Sequence, residues 1–137
     1  MKGLKDKVVI VSGGATLIGA AVARAFVAEG ARVVIADIDT RGGTALATEL
    51  GECCRFIATD VTRNADIEAC VAATLKAFGG VDCLVNVAAA YVDNGFDSPR
   101  EDWEKAFAIN VFGAVMFLLA CRSHLKDGGA VVNFGST

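Results

Sequence analysis

The sequence predicts a doubly wound α/β domain built on a parallel sheet of about five strands, and two observations carry that prediction. Residues 7–11 (KVVIV) and 32–36 (RVVIA) are continuous β-branched runs without polar alternation, as strands buried on both faces require. Between such runs lie stretches with helical apolar spacing, long enough to carry the chain from one parallel strand to the next. Right-handed βαβ units then cover both faces of the sheet, and the strand order expected for five strands is 3-2-1-4-5.

Each element follows in turn. The first strand, 7–11, runs into Ser12-Gly13-Gly14. A helix over 17–29 carries Ile18, Val22, Ala25 and Phe26 on one face, and Gly30 stops it. The second strand, 32–36, leads to a helix near 40–50, and a third strand follows near 55–58. A helix near 64–78 closes at Gly79-Gly80. The fourth strand begins near Asp82 and includes Leu84 and Val85. After a polar loop, 91–98, Pro99 marks the start of a helix that continues to Lys126, with or without a break near Asn110. Asp127-Gly128-Gly129 breaks that pattern, and 130–134 is the fifth strand.

Bulk properties narrow the function classes. With 137 residues, the chain (1–137) is one domain's worth, able to bury roughly 68–70% of its unfolded surface. It is 54% hydrophobic with a mean hydropathy of +0.50, a composition of compact, interior-rich chains rather than disordered ones. Net charge is −3 without a basic run, so neither nucleic acid nor an anionic membrane surface is an expected partner. The first apolar run, 8–11, is too short for a signal peptide. The longest, 106–121, contains Asn110 and reads as a buried helix rather than a membrane span. Cys53, Cys54, Cys70, Cys83 and Cys121 lack Cys-x-x-Cys spacing, so the expectation is no metal site and reduced thiols in a cytoplasmic core. His124, the sole histidine, sits where it caps a helix C-terminus.

Two features carry chemistry. Ser12 to Gly19 (SGGATLIG) links a buried strand to the start of a helix, and its glycines permit a tight turn with close approach of backbone to a ligand. The unpaired N–H groups at that helix start attract a diphosphate. The second strand ends in Ala36-Asp37-Ile38-Asp39. An acid there accepts hydrogen bonds from ribose hydroxyls and repels a 2′-phosphate, which argues for NAD over NADP. The bland alternatives are an ordinary βα turn and a helix N-terminal acid.

On these residues the sequence resembles the short-chain dehydrogenase/reductase family along its whole length. The family's Thr-Gly-x-x-x-Gly-x-Gly turn aligns with Ser12, Gly13, Leu17 and Gly19, with Thr16 and Ile18 inside it. Its Asp-Val after the third strand is Asp60-Val61, and its Asn-Asn-Ala-Gly after the fourth is Asn86-Val87-Ala88-Ala89. Residues 103–113 (WEKAFAINVFG) match a further signature, and 131–136 (VVNFGS) matches the strand that delivers a catalytic serine.

The resemblance implies a Rossmann domain that holds NAD through Ser12, Gly13, Thr16, Leu17, Ile18, Gly19, Asp37, Ile38, Asp60, Val61, Asn86 and Ala88. Within that set, Asp60 would bind the adenine amino group and Val61 would pack on the ring. It also implies two catalytic residues. Asn110 would hold a relay water on its backbone carbonyl, and Ser136 would orient an alcohol or ketone substrate. Homo-oligomers through the apolar helix 106–121 are implied as well. Leu17 departs from the middle glycine, and Val87 and Ala89 depart from the fourth-strand motif. The family's tyrosine and lysine, four residues apart, lie downstream of the serine, whereas these residues end at Thr137; Tyr91, the only tyrosine, has Gly95 at that spacing. The expectation is a portion without the family's C-terminal strands and helices. Three readings stay open: an NAD-dependent oxidoreductase, a non-catalytic NAD-binding module, and a structural or oligomerisation fragment.

Overall fold

A computed structural model describes residues 3–91 and 94–135. Its elements are β1 (Val8–Ser12), α1 (Leu17–Ala28), β2 (Arg32–Asp37), α2 (Thr40–Leu50), β3 (Cys54–Ala58), α3 (Asn64–Phe78), β4 (Val81–Asn86), α4 (Arg100–Phe107), α5 (Gly113–Cys121) and β5 (Leu125–Asn133). A single π-helical turn, Ala108–Phe112, joins α4 to α5. The described strands form one parallel sheet in the order β3-β2-β1-β4-β5, the order expected of a doubly wound domain.

Strand alternation divides the core in two. Val9, Val11, Val33, Ile35 and Val85 face α1 and α2, where Ala20, Ala23 and Leu46 meet them. Ile10, Val34, Ala36 and Leu84 face the opposite layer, where Ile67, Cys70 and Val71 of α3 pack with Phe117 and Cys121 of α5. β1 is therefore buried on both sides, which is why its sequence is apolar without interruption. This central position fixes the place where the Ser12–Gly19 turn emerges.

The sheet departs from expectation at β5. The helix stops at Cys121, and the strand starts at Leu125, ahead of the Asp127-Gly128-Gly129 break. Val81 pairs with Leu125, whereas Cys83 pairs with Ala130, so residues 126–129 bulge opposite Asp82 alone. Gly128 takes φ +79°, and the Lys126 ammonium lies 3.5 Å from the Asp82 carboxylate. The glycines open a bulge within a paired strand, where the sequence pattern reads them as its boundary.

Residues 100–121 form a helical run long and apolar enough to cross a membrane, with 22% of the apolar window buried. Its inward face carries Phe117 and Cys121, both fully buried. Trp103, Phe107, Phe112, Val115 and Leu119 on the same run are exposed.

Candidate functional site

The C-terminal ends of β1, β2, β3 and β4 open on a cleft of about 330 Å³. Its floor is the turn after β1. Gly13 takes φ +71°, and a Cβ there would lie 2.5 Å from the Ala88 nitrogen. A Cβ on Gly19 would lie 1.9 Å from the Gly13 carbonyl oxygen. The turn, α1 and the segment after β4 thus meet backbone to backbone, and only glycine permits that approach. Leu17 adopts φ +44°, a left-handed conformation that disfavours a side chain, and is 88% exposed at the cleft. Thr16 precedes α1 with extended backbone, and its side chain makes no capping bond. The first-turn N–H groups of α1 thus have no side-chain cap, an arrangement that suits an anion.

Asp37 stands at the end of β2. The Ala15 N–H donates to its Oδ2 (3.0 Å) and the Asp39 N–H to its Oδ1 (2.9 Å). Those two bonds fix the carboxylate and leave each oxygen a further lone pair for a hydroxyl. The Asp60 carboxylate accepts from the Thr62 hydroxyl (2.7 Å) and N–H (2.9 Å), bonds that hold it below its usual pKa. Val61 lines the cleft and also packs on α5, where a Cβ on Gly113 would come within 2.9 Å of it. Asp37 and Asp60 are the charged groups among the described lining residues; no lysine or arginine joins them.

Most of the sequence-predicted residues therefore gather: Gly13, Thr16, Leu17, Ile18, Gly19, Asp37, Ile38, Asp60, Val61 and Ala88 all line this cleft. Ser12 and Asn86 lie beneath it, buried in the sheet. The Ser12 carbonyl accepts the Val87 N–H at 2.9 Å. Asn86 Nδ2 donates to Asn133 Oδ1 at 2.9 Å, joining β4 to β5, and the Asn86 carbonyl accepts the Phe134 N–H at 3.0 Å. Asn110 sits in the π-helical turn beside the cleft, next to its lining residue Ile109. Its side chain grips the backbone of Ala90, taking the Ala90 N–H on Oδ1 (2.7 Å) and donating from Nδ2 to the Ala90 carbonyl (2.9 Å). Ser136 lies outside the described residues.

Sequence reasoning missed Ala15, Ala90 and Ile109. Their part depends on a backbone group or a cleft wall, and no residue type signals either. Together the described residues fit a dinucleotide. The cradle of Gly13 and Gly19 would be filled by any Cβ, the first-turn N–H groups of α1 have no side-chain cap, and Asp37 is set to accept hydroxyls.

Comparison with known proteins agrees with this geometry. A family model described as enoyl-(acyl carrier protein) reductase matches residues 13–137. A sorbitol dehydrogenase from Cereibacter sphaeroides is 40% identical over 97% of this chain and 54% of its own length. A galactitol 2-dehydrogenase from Agrobacterium fabrum is 39% identical over 97% of this chain and 54% of its own. The crystal structure of a 3-ketoacyl-(acyl-carrier-protein) reductase from Brucella melitensis, complexed with NADH, superposes with a TM-score of 0.91 at 30% identity. That superposition covers 98% of this chain and 59% of the reductase. The chain spans about half the length of the curated relatives it matches. By its glycine turn, its sheet order and these matches, the chain belongs to the short-chain dehydrogenase/reductase family.

Proposed function

We propose that these residues are the cofactor-binding portion of an NAD-dependent oxidoreductase that moves hydride between NAD(H) and a small alcohol or ketone. One observation carries the choice of NAD: Asp37 is fixed at the cleft by two backbone N–H groups, and no lysine or arginine is among the described lining residues beside it. A 2′-phosphate would meet a carboxylate without a counter-charge, a juxtaposition that costs several kcal/mol. The sorbitol and galactitol dehydrogenases among the relatives support an alcohol or ketone substrate, and the neighbour's NADH supports the cofactor class.

When bound, NAD supplies the hydride acceptor, and the protein supplies binding and orientation. Asp37 accepts the ribose hydroxyls, and the start of α1 takes the diphosphate. Asp60 and Val61 receive the adenine. Asn110 keeps the segment after β4 in place while its backbone carbonyl is offered to a relay water, and Ser136 orients the substrate. Proton transfer needs a donor tuned toward neutrality. Tyr91 has Gly95 four residues on and so lacks a lysine at the family's spacing.

The exposed apolar side chains of α4 and α5 support a homo-oligomer paired across that face. Cysteines left as free thiols support a reducing, cytoplasmic setting, and a net charge of −3 without a basic run supports neither nucleic acid nor an anionic membrane as partner. Calorimetric titration of NAD and NADP tests the central reading. NAD should bind at least about tenfold more tightly, and Asp37→Ser should erase most of that preference. Equal affinities in the unaltered protein would sink it.

A further inference from the structure

Leu17 is the point at which this cleft differs from the glycine turn it otherwise matches. Its backbone is left-handed at φ +44°, so the residue keeps the glycine conformation while carrying an isobutyl group. That group is 88% exposed and lines the cleft at the first position of α1, between Thr16 and Ile18. No other large apolar side chain on α1 is so exposed; Ile18, beside it, is 56% exposed. The first-turn N–H groups of α1 are the donors available to a diphosphate here, because the described lining residues include no lysine or arginine. An apolar group at the mouth of those donors would take water from the phosphates without returning a hydrogen bond.

We infer that Leu17 is an affinity- and specificity-determining residue: it caps the diphosphate end of the cleft, so recognition rests on the nucleoside end, at Asp37 and Asp60. This rests on the dinucleotide reading above. The cleft then draws less from a diphosphate than a glycine turn does, and it exchanges its cofactor readily.

The test uses adenosine and ADP as probes, which share the nucleoside and differ in the diphosphate. In the unaltered chain the two should bind with dissociation constants within about threefold of each other. In Leu17→Gly, ADP should bind at least about tenfold more tightly than adenosine, a gain of about 1.4 kcal/mol. Leu17→Ala keeps a Cβ on the left-handed backbone but removes the cover. It should recover most of the ADP gain, whereas only Leu17→Gly should raise Tm, by about 4 °C. An equal ADP-to-adenosine ratio in all three proteins, with adenosine bound, overturns the inference and leaves the dinucleotide reading standing. Tighter ADP binding by the unaltered chain than by Leu17→Gly overturns it as well. Adenosine failing to bind any of the three overturns the dinucleotide reading, and this inference falls with it.

Discussion

Asn110 and Ala90 are joined by two hydrogen bonds that copy the pairing of neighbouring strands, N–H to side-chain oxygen at 2.7 Å and side-chain nitrogen to carbonyl at 2.9 Å. The pair ties the π-helical turn to the wall of the cleft formed by the residues after β4. Replacing Asn110 with alanine should cost about 1–2 kcal/mol, the worth of two partly solvated bonds. Hydrogen exchange gives the sharper readout. The Ala90 amide should exchange much faster in the variant, while amides within β1 and β4 keep their protection. An unchanged Ala90 rate would show that the clamp holds nothing in place.

Glycines at two kinds of position should respond differently to alanine. Gly79 takes the left-handed conformation, φ +78° and ψ 9°, with open space where a Cβ would stand, so Gly79→Ala should lose only the left-handed backbone cost, about 1 kcal/mol. At Gly19 the Cβ would lie 1.9 Å from a backbone oxygen, and the turn must move to admit it. Gly19→Ala should lose about 2–3 kcal/mol, as overpacked sites do, and weaken nucleotide binding too. Urea denaturation that ranks Gly79→Ala as the more damaging change would contradict the close-packed turn.

Asp82 makes stability depend on acid. Burial alone would raise its pKa, but the Val8 N–H at 2.9 Å and the ammonium groups of Lys126 and Lys7 outweigh burial and hold it below the usual carboxylate value. A carboxyl depressed in the folded state contributes stability above its unfolded pKa, about 3.9, and loses that contribution as pH falls through the folded value. Asp82→Asn should therefore cost about 1–2 kcal/mol at pH 7, and the gap to the unaltered protein should close as pH drops below about 4. A gap that stays constant from pH 7 to pH 3 would mean that the charge is not what matters.

The thiols should react in two classes. Cys54 and Cys70 are buried, which pushes their pKa values up to about 11, and burial pushes Cys121 up to about 12. Thiolate is the reactive species, so these three should resist alkylation at pH 8 until the chain unfolds. Burial raises Cys83 as well, and it should react slowly. Cys53 is exposed and should take up iodoacetamide first. Mass spectrometry showing early label on Cys70 or Cys121 would mean that the layer between α3 and α5 opens readily.

The sheet was legible because both faces of β1 and β2 are covered, so residues 8–11 and 33–36 are apolar throughout and stand out as uninterrupted runs. The glycine turn and Asp37 were legible because they combine a residue type with a place at a strand end. What escaped was set by partners distant in sequence. Asn110 reads as one polar residue in an apolar helix, and nothing near it announces that its side chain grips a backbone twenty residues away. The oxygens of Asp37 are held by Ala15 and by Asp39, and alanine offers no hint that its N–H does such work. Asn86 was expected at the cofactor; its amide instead spans to Asn133 within the sheet, a contact that exists only once β4 and β5 pair.

The bulge at the start of β5 has a bearing on how the chain tolerates change in length. Between Val81–Leu125 and Cys83–Ala130, β5 spends more residues than β4, and regular pairing then continues to Asn86–Asn133. Slack is thus stored at the end of the sheet remote from the cleft, upstream of every pair that aligns the two strands toward it. A residue gained or lost among positions 126–129 would be absorbed before Ala130, and the segment beyond Asn133 would still arrive in step with β4. Insertions there should spare the cleft, whereas the same insertion after Ala130 would turn every following side chain to the opposite face.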